Sequence, residues 1–148
     1  MEADLAGFLK KAVDAHRELG AAKGVTVQAA AIPKTVTPPK FDTDQIRRAL
    51  DNLILNAVQN TPREGTVTVV AAEANGSLQL RVSDTGPGVA AHIQERLFEP
   101  FVTARPEGTG LGLAIAREIA RTHGGEARLV STSSSGTVFE IELPWRQS

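Results

Sequence analysis

The 148-residue sequence predicts an α+β domain, a two-layer α/β sandwich in which helices cover one face of a mixed sheet. Three observations predict this class: segments with helical apolar periodicity, strands whose apolar residues alternate, and hairpin turn signals between neighbouring strands. The length is that of one ordinary domain, and neither an internal repeat nor a long linker divides it. We therefore expect a single domain over residues 1–148.

In the first half, three elements are predicted: a helix over about residues 4–19, a strand over about 25–30 and a helix over about 43–60. Gly20 and Gly24 end the first helix, and Asp42 or Thr43 caps the second. The expected buried positions are Leu5, Phe8, Leu9, Ala12 and Ala15 in the first helix and Ile46, Leu50, Leu53, Ile54 and Ala57 in the second.

The second half is predicted to contain two strand pairs and two helices. Val67 and Val69 alternate with threonines, and the Asn75-Gly76 turn leads into a partner strand. A short helix over about residues 90–97, a longer one over about 110–123 and a strand pair over about 128–131 and 138–143 follow. Helices and hairpin-linked strands in this order predict helices on one face of the sheet.

Composition narrows the function classes. Sixteen Lys and Arg against seventeen Asp and Glu give a net charge of −1, which argues against a broad nucleic-acid-binding surface. The absence of cysteine excludes disulfides, thiolate metal sites and cysteine nucleophiles. No apolar run approaches the roughly 18 residues of a membrane helix, and the first residues lack a signal pattern. We expect a cytoplasmic domain that does not bind nucleic acid.

Asn52 and Asn56 are four residues apart in the second helix and therefore project from the same side. Asparagine is unfavourable inside a helix, and its amide oxygen is a hard neutral ligand suited to Mg²⁺ that also holds phosphate oxygens. The alternative is that both side chains face solvent or bond locally.

Two glycine-rich segments are further candidates for a site. Asp84 follows an apolar strand and precedes Gly86 and Gly88, so its carboxylate can accept a hydrogen bond from an exocyclic amine. Residues 107–114 open a helix with exposed amides, a pattern that binds phosphate, but they match neither the P-loop nor the dinucleotide fingerprint. The alternatives are a tight aspartate turn and a glycine hinge.

Five segments in order carry a resemblance to a known family: residues 52–57 (NLILNA), 84–88 (DTGPG), 97–101 (LFEPF), 108–113 (GTGLGL) and 136–137 (GT). They resemble the N, G1, F, G2 and terminal G boxes of the catalytic ATP-binding domain of sensor histidine kinases, and the resemblance covers about residues 4–144. It implies the Bergerat fold, with a mainly antiparallel mixed sheet covered by about three helices. It also implies binding of Mg-ATP beneath a mobile lid, here residues 102–107.

The resemblance implies roles for individual residues. Asn56 is the main Mg²⁺ ligand with Asn52 beside it, and these two are the catalytic positions. Asp84 binds the adenine amino group, and Thr137 supports it. The other expected ATP-binding residues are Gln59, Asn60, Gly86, Gly88, Val89, Phe101, Arg105, Gly108, Thr109, Gly110, Leu111, Gly112 and Leu113. For Arg105, a solvated arginine is the alternative, and Phe98 and Phe101 either pack in the core or dock the lid or a helical bundle.

The sequence departs from the family at two informative places. Gln59 and Asn60 stand where many members have Lys-Tyr, so affinity for ATP is expected to be lower unless Arg105 compensates. Asn52 stands where hydrolytic relatives have a glutamate base, and an asparagine cannot accept that proton. Phosphoryl transfer is therefore favoured over hydrolysis.

The resemblance also implies partners for this domain. His16 precedes Arg-Glu-Leu, but no second long helix follows to complete a phosphoacceptor hairpin, and neither His92 nor His123 has a second metal ligand at useful spacing. The expected partners are a histidine-containing helical dimerisation domain and a response regulator receiver domain, with this domain itself monomeric. The alternatives are an anti-sigma-factor-type serine kinase and a non-catalytic ATP-sensing module.

Overall fold

The computed structural model describes residues 5–30, 42–74, 76–100 and 111–144. The elements in these ranges are α1 (Leu5–Lys23), β1 (Thr26–Ala29), α2 (Thr43–Asn60), β2 (Thr66–Ala74), β3 (Ser77–Asp84), α3 (Ala91–Gln94), α4 (Gly112–Thr122), β4 (Glu126–Ser133) and β5 (Gly136–Pro144). Among these residues, no helix has the length and apolar composition needed to cross a membrane.

The five strands form one mixed sheet in the order β1-β2-β3-β5-β4. β1 runs parallel to β2, and the other three pairs are antiparallel. β3 lies at the centre and is paired on both sides from Ser77 to Asp84. The predicted fold class, a two-layer α+β sandwich with a mainly antiparallel sheet, is confirmed.

The helices pack on one face of this sheet because each carries one apolar side. Leu9, Ala12 and Val13 of α1 are buried, and so are Leu113 and Ala116 of α4. The buried residues of α2 are Ile46, Ala49, Leu50, Leu53, Ile54, Ala57 and Val58. In β3, alternate residues from Leu78 to Asp84 are buried, and this alternation directs the Asp84 side chain toward the helical layer.

Three local predictions about α1 and α3 were wrong. Gly20 lies inside α1, where a Cβ would come within 2.7 Å of Val25 O, so this glycine allows close packing on β1 rather than ending the helix. Gly24, with φ +82°, is the residue at which the helix ends. Ala15 is exposed, whereas Val13 takes the buried place. α3 is a single turn.

Candidate nucleotide site

Asp84 is the last residue of β3 and is only 6 % exposed. Its Oδ1 accepts a hydrogen bond from the Gly86 amide at 2.9 Å. Its Oδ2 is the one buried side-chain oxygen in the described part of the chain for which no hydrogen-bond partner is found. Burial raises the pKa of Asp84, and the backbone amides of Gly86 and Thr137 act in the opposite direction. A buried carboxylate with one unpaired oxygen can accept a hydrogen bond from a ligand.

The β3–α3 loop, residues 85–90, follows Asp84 and is held by close backbone approaches. A Cβ at Gly86 would lie 2.6 Å from Asn60 O, at the end of α2. Gly88 has φ +90°, and a Cβ there would lie 2.3 Å from Ser133 O, at the end of β4. Because any side chain at these two positions would clash with backbone, both must be glycine. At them the loop packs closely against the end of α2 on one side and the end of β4 on the other.

Asn52 and Asn56 both lie half-buried on α2. Asn52 Nδ2 donates to Arg48 O at 3.0 Å, so part of the predicted local bonding is present. Oδ1 of the same amide faces the start of α4, because a Cβ at Gly112 would lie 3.3 Å from it. The structure thus brings Asn52 next to Gly112, in the described part of the second glycine segment.

The N-terminus of α4 lies near Asn52. Leu111, the N-cap residue, provides no side-chain cap, and the first amides of a helix have no partner within the helix. Gly112 and Leu111 are half-buried. Leu113 is different, since its side chain is only 8 % exposed and belongs to the core. It can contribute only its backbone to a ligand.

A cavity of about 490 Å³ lies beyond the C-terminal end of α2, and its lining includes Gln59, Asn60, Gly86 and Lys23. Lys23, the last residue of α1, donates from Nζ to Val58 O at 2.8 Å and to Gln59 O at 2.6 Å. A cation at this end of a helix is favourable because the carbonyl groups there carry partial negative charge. Lys23 thus brings an ammonium group close to Gln59.

Thr137 pairs with Asp84 across β3 and β5 and is 2 % exposed. Its hydroxyl is 2.9 Å from that of Thr132 in β4, and Thr132 Oγ1 also accepts from the Val89 amide at 2.9 Å. Sequence reasoning identified Thr137 and Val89 but missed Thr132 and Lys23. Neither of these two lies in a recognisable motif, and each reaches the site through long-range packing.

The remaining sequence predictions have mixed outcomes. Phe98 packs edge-on against Phe139, with ring centroids 5.9 Å apart, and Arg117 lies over its ring, which supports the core reading. The following predicted residues lie outside the described ranges: Phe101, Arg105, Gly108, Thr109 and Gly110, together with the expected lid.

The histidines do not form a second site. His16 Nε2 is 3.0 Å from Asp51 Oδ1, His92 is exposed, and His123 at the end of α4 has its Nδ1 2.9 Å from Ile119 O. Within the described ranges, no group of three or more histidine or acidic side chains is placed to hold a metal ion.

Known proteins share this arrangement. The chain is 38% identical over 110 residues to the sensor histidine kinase ZraS of Escherichia coli K12, with 74% of this chain and 24% of ZraS covered. It is 42% identical over 119 residues to the histidine protein kinase DivJ of Caulobacter vibrioides, with 74% of this chain and 20% of DivJ covered. The chain thus spans about a quarter or less of the length of these curated relatives.

Solved structures of histidine kinases have a similar fold. Full-length ShkA in complex with AMPPNP superposes with a TM-score of 0.85 at 30% identity, covering 100% of this chain and 31% of ShkA. The nucleotide-free catalytic domain of histidine kinase ThkA superposes with a TM-score of 0.86 at 25% identity, covering 98% and 95%. Residues 41–147 match the family described as "Histidine kinase-, DNA gyrase B-, and HSP90-like ATPase". With the buried aspartate, the asparagine helix and the glycine-opened helix in place, the chain belongs to this ATPase family.

Proposed function

We propose that this chain is the ATP-binding catalytic domain of a sensor histidine kinase. It holds Mg-ATP for transfer of the γ-phosphoryl group to a histidine on a separate helical dimerisation domain. The observation that carries the proposal is the buried carboxylate of Asp84, whose Oδ2 has no donor within the described residues. The relatives named sensor histidine kinases and the ShkA structure with AMPPNP support it.

The residues at the end of β3 fit an adenine ring. The amino group of adenine is a donor that a carboxylate oxygen accepts, whereas guanine has a carbonyl oxygen at that position, which a carboxylate repels. Gly86 lies against the carboxylate, since a Cβ there would be 3.0 Å from Asp84 Oδ1 and 2.6 Å from Asn60 O. Asp84 thereby selects the base.

The helical side fits a magnesium-bound phosphate chain. Asn56, with Asn52 beside it, offers neutral amide oxygens of the kind Mg²⁺ accepts when phosphates supply its other ligands. The backbone amides at the start of α4 add partial positive charge, which favours an anionic phosphate chain there. Bound ATP would supply the transferable phosphoryl group, and the Mg²⁺ bound with it would neutralise part of the phosphate charge.

The same residues favour transfer over hydrolysis. Phosphoryl transfer asks a protein mainly for positioning and charge stabilisation, which an asparagine pair and helix amides provide. Asn52 cannot act as the general base that activates water. Its amide is instead held by the bond from Nδ2 to Arg48 O.

The acceptor histidine is assigned to a separate domain because His16 is poorly placed for the role. Its side chain is 14% exposed and is in hydrogen-bond contact with Asp51 on α2. From the phosphorylated acceptor, the phosphoryl group would pass to an aspartate of a response regulator receiver domain. With dimerisation assigned to the helical domain, we propose that residues 1–148 form a single monomeric domain.

Calorimetry with ADP, with and without Mg²⁺, tests the binding step. Asn56→Ala is expected to lose most of the Mg²⁺-dependent gain in affinity and to retain adenosine binding. Gln45→Ala, an exposed position on the same helix, is the matched control and should bind like the wild type. Equal losses for Asn56→Ala with and without Mg²⁺ would contradict the metal role.

Incubation with Mg-ATP and a helical dimerisation domain tests the transfer step. Acid-labile phosphate on the histidine of that domain supports the kinase. Acid-stable phosphoserine on a protein substrate supports the serine-kinase alternative instead. Intact ATP binding without transfer to either acceptor supports a nucleotide-sensing module.

A further inference from the structure

Thr132 owes its orientation to an irregularity in β4. The register between β4 and β5 shifts between Leu129 and Ser131, which leaves Val130 as an extra residue. Leu129 lies opposite Phe139, whose side chain is in the core, and Thr132 lies opposite the buried Thr137. Side chains alternate along a strand, so without the extra residue 132 would point to the opposite face. The bulge turns the Thr132 hydroxyl toward Thr137 and the Val89 amide.

The Thr132 hydroxyl then joins two parts of the candidate nucleotide site. Its Oγ1 accepts from the Val89 amide of the β3–α3 loop at 2.9 Å. It also lies 2.9 Å from Oγ1 of Thr137, the cross-strand neighbour of Asp84. A hydroxyl has one proton and two lone pairs, so both contacts can be satisfied together. The loop and the strand pair are thus bonded to each other through one side chain.

Besides the close approach of Gly88 to Ser133, two other contacts in the described structure fix the second half of this loop. Gln94 Nε2 donates to Val89 O at 3.0 Å, and the Val89 side chain packs against the core. The Val89 amide itself is satisfied by Thr132. Losing that acceptor would leave the amide without a protein partner and would loosen the loop that shapes the base pocket.

We propose that Thr132 is a positioning residue for the purine pocket, holding the β3–α3 loop against β4 and β5 so that Gly86, Gly88 and Val89 stay in place beside Asp84. The inference rests on the proposed function, since it assigns Thr132 a role in adenine nucleotide binding. Thr132 itself does not contact the reacting atoms. Its effect passes through Val89 and Thr137.

The test compares Thr132→Val with Thr132→Ser. Valine keeps the shape and β-branching but removes the hydroxyl, whereas serine keeps the hydroxyl. We expect Thr132→Val to weaken ADP binding about 5- to 10-fold, the equivalent of about one lost hydrogen bond, and Thr132→Ser to stay within about 2-fold of wild type. Thr26→Val, an exposed threonine on β1, is the matched control and should change nothing.

Hydrogen exchange at the Val89 amide provides a second readout, because a general loss of stability would speed exchange at many amides rather than at this one. Exchange should be faster in Thr132→Val and unchanged in Thr132→Ser, with the melting temperature of each variant recorded. If Thr132→Val folds poorly, Thr132→Ala serves as the second hydroxyl-free variant on the same two readouts.

The outcomes separate this inference from the proposed function. Wild-type protein that does not bind ADP overturns the proposed function and the inference together. Wild-type protein that binds ADP, with Thr132→Val binding equally well or serine behaving like valine, overturns the inference alone. Faster Val89 exchange with weaker ADP binding in the hydroxyl-free variants, restored by serine, supports it.

Discussion

Gly112 at the start of α4 lies against the side chain of Asn52 on α2, so close that a Cβ at position 112 would be 3.3 Å from Asn52 Oδ1. The two residues are far apart in the sequence, and the packing of α2 against α4 makes them neighbours. The start of α4 and the side of α2 that carries Asn52 therefore form one surface. An anionic group bound there can contact the backbone amides of α4 and the Asn52 side chain together.

Gly112→Ala should weaken nucleotide binding without lowering the stability of the fold. The added methyl displaces the Asn52 amide, and we expect about a 3- to 10-fold loss of affinity for Mg-ADP, or about 1 kcal/mol. Alanine is a better helix former than glycine, so the melting temperature should not fall. In an Asn52→Ala background the same substitution should have little further effect, which a double-mutant cycle by calorimetry measures. Additive losses would contradict the contact.

Asp84→Asn should stabilise the nucleotide-free protein and weaken nucleotide binding. Because burial raises the pKa of Asp84, its charge destabilises the fold at neutral pH, and removing it should add about 0.5–2 kcal/mol of unfolding free energy. Adenine selectivity over guanine should fall, because an amide can present a donor where the carboxylate only accepts. Asp44→Asn, an exposed aspartate on α2, is the control.

The stability difference between Asp84→Asn and the wild type should depend on pH in a defined direction. Folded Asp84 takes up a proton at a higher pH than it does in the unfolded chain, so protonation favours the fold. The stability advantage of Asp84→Asn should be greatest above the raised pKa and should shrink as pH falls through it. A constant difference across that range by denaturant titration would contradict the assignment.

Asp51→Asn should show the opposite pH behaviour. Burial raises the pKa of Asp51, but hydrogen bonds from His16 and Arg47 outweigh this effect and hold the pKa below its usual value. The ionised form therefore stabilises the fold above the pKa of the unfolded chain, and that contribution is lost as pH falls through the folded pKa. Since the side chain is 36% exposed, we expect a loss of about 1 kcal/mol or less at neutral pH, vanishing in acid.

Glu140→Gln should reduce stability without affecting the nucleotide site. The Glu140 carboxylate, 3% exposed, is held between Arg81 and Arg128 on the sheet face away from the helices. Loss of its charge should cost about 1–3 kcal/mol of unfolding free energy, with ADP affinity within about 2-fold of wild type. Glu142→Gln, 32% exposed and bonded to Arg128, should cost less, which thermal melts of both variants would show.

Local signals predicted much of this fold. Asp42 was predicted as a cap for α2, and its Oδ1 accepts from the amides of Asp44 and Gln45, both at 3.1 Å. Asn52, Asp84 and Gly112 were predicted as site residues because their types and motif order are informative before any packing is known. The structure then brings Gly112 to Asn52 and leaves Asp84 with an unpaired oxygen.

Long-range packing explains what the sequence did not predict. A glycine that ends a helix and a glycine that admits a neighbouring strand look alike in a sequence, so Gly20 was misassigned as part of the helix end. Period-two alternation from Leu129 directs residue 132 away from the core, and only the bulge at Val130 reverses it. Lys23 reaches Val58 and Gln59 through the packing of α1 near the end of α2, which no local motif encodes.

The central position of β3 in the sheet affects how the candidate nucleotide site should respond to heating. Ser77–Asp84 is bonded to β2 on one side and β5 on the other along its whole length, whereas helix ends fray readily. We therefore expect Asp84 to take part in local opening less often than the start of α4 does. Under the proposed function, heat would release the phosphate end of a nucleotide before the base, and adenosine would keep its affinity at temperatures where ATP has lost its advantage.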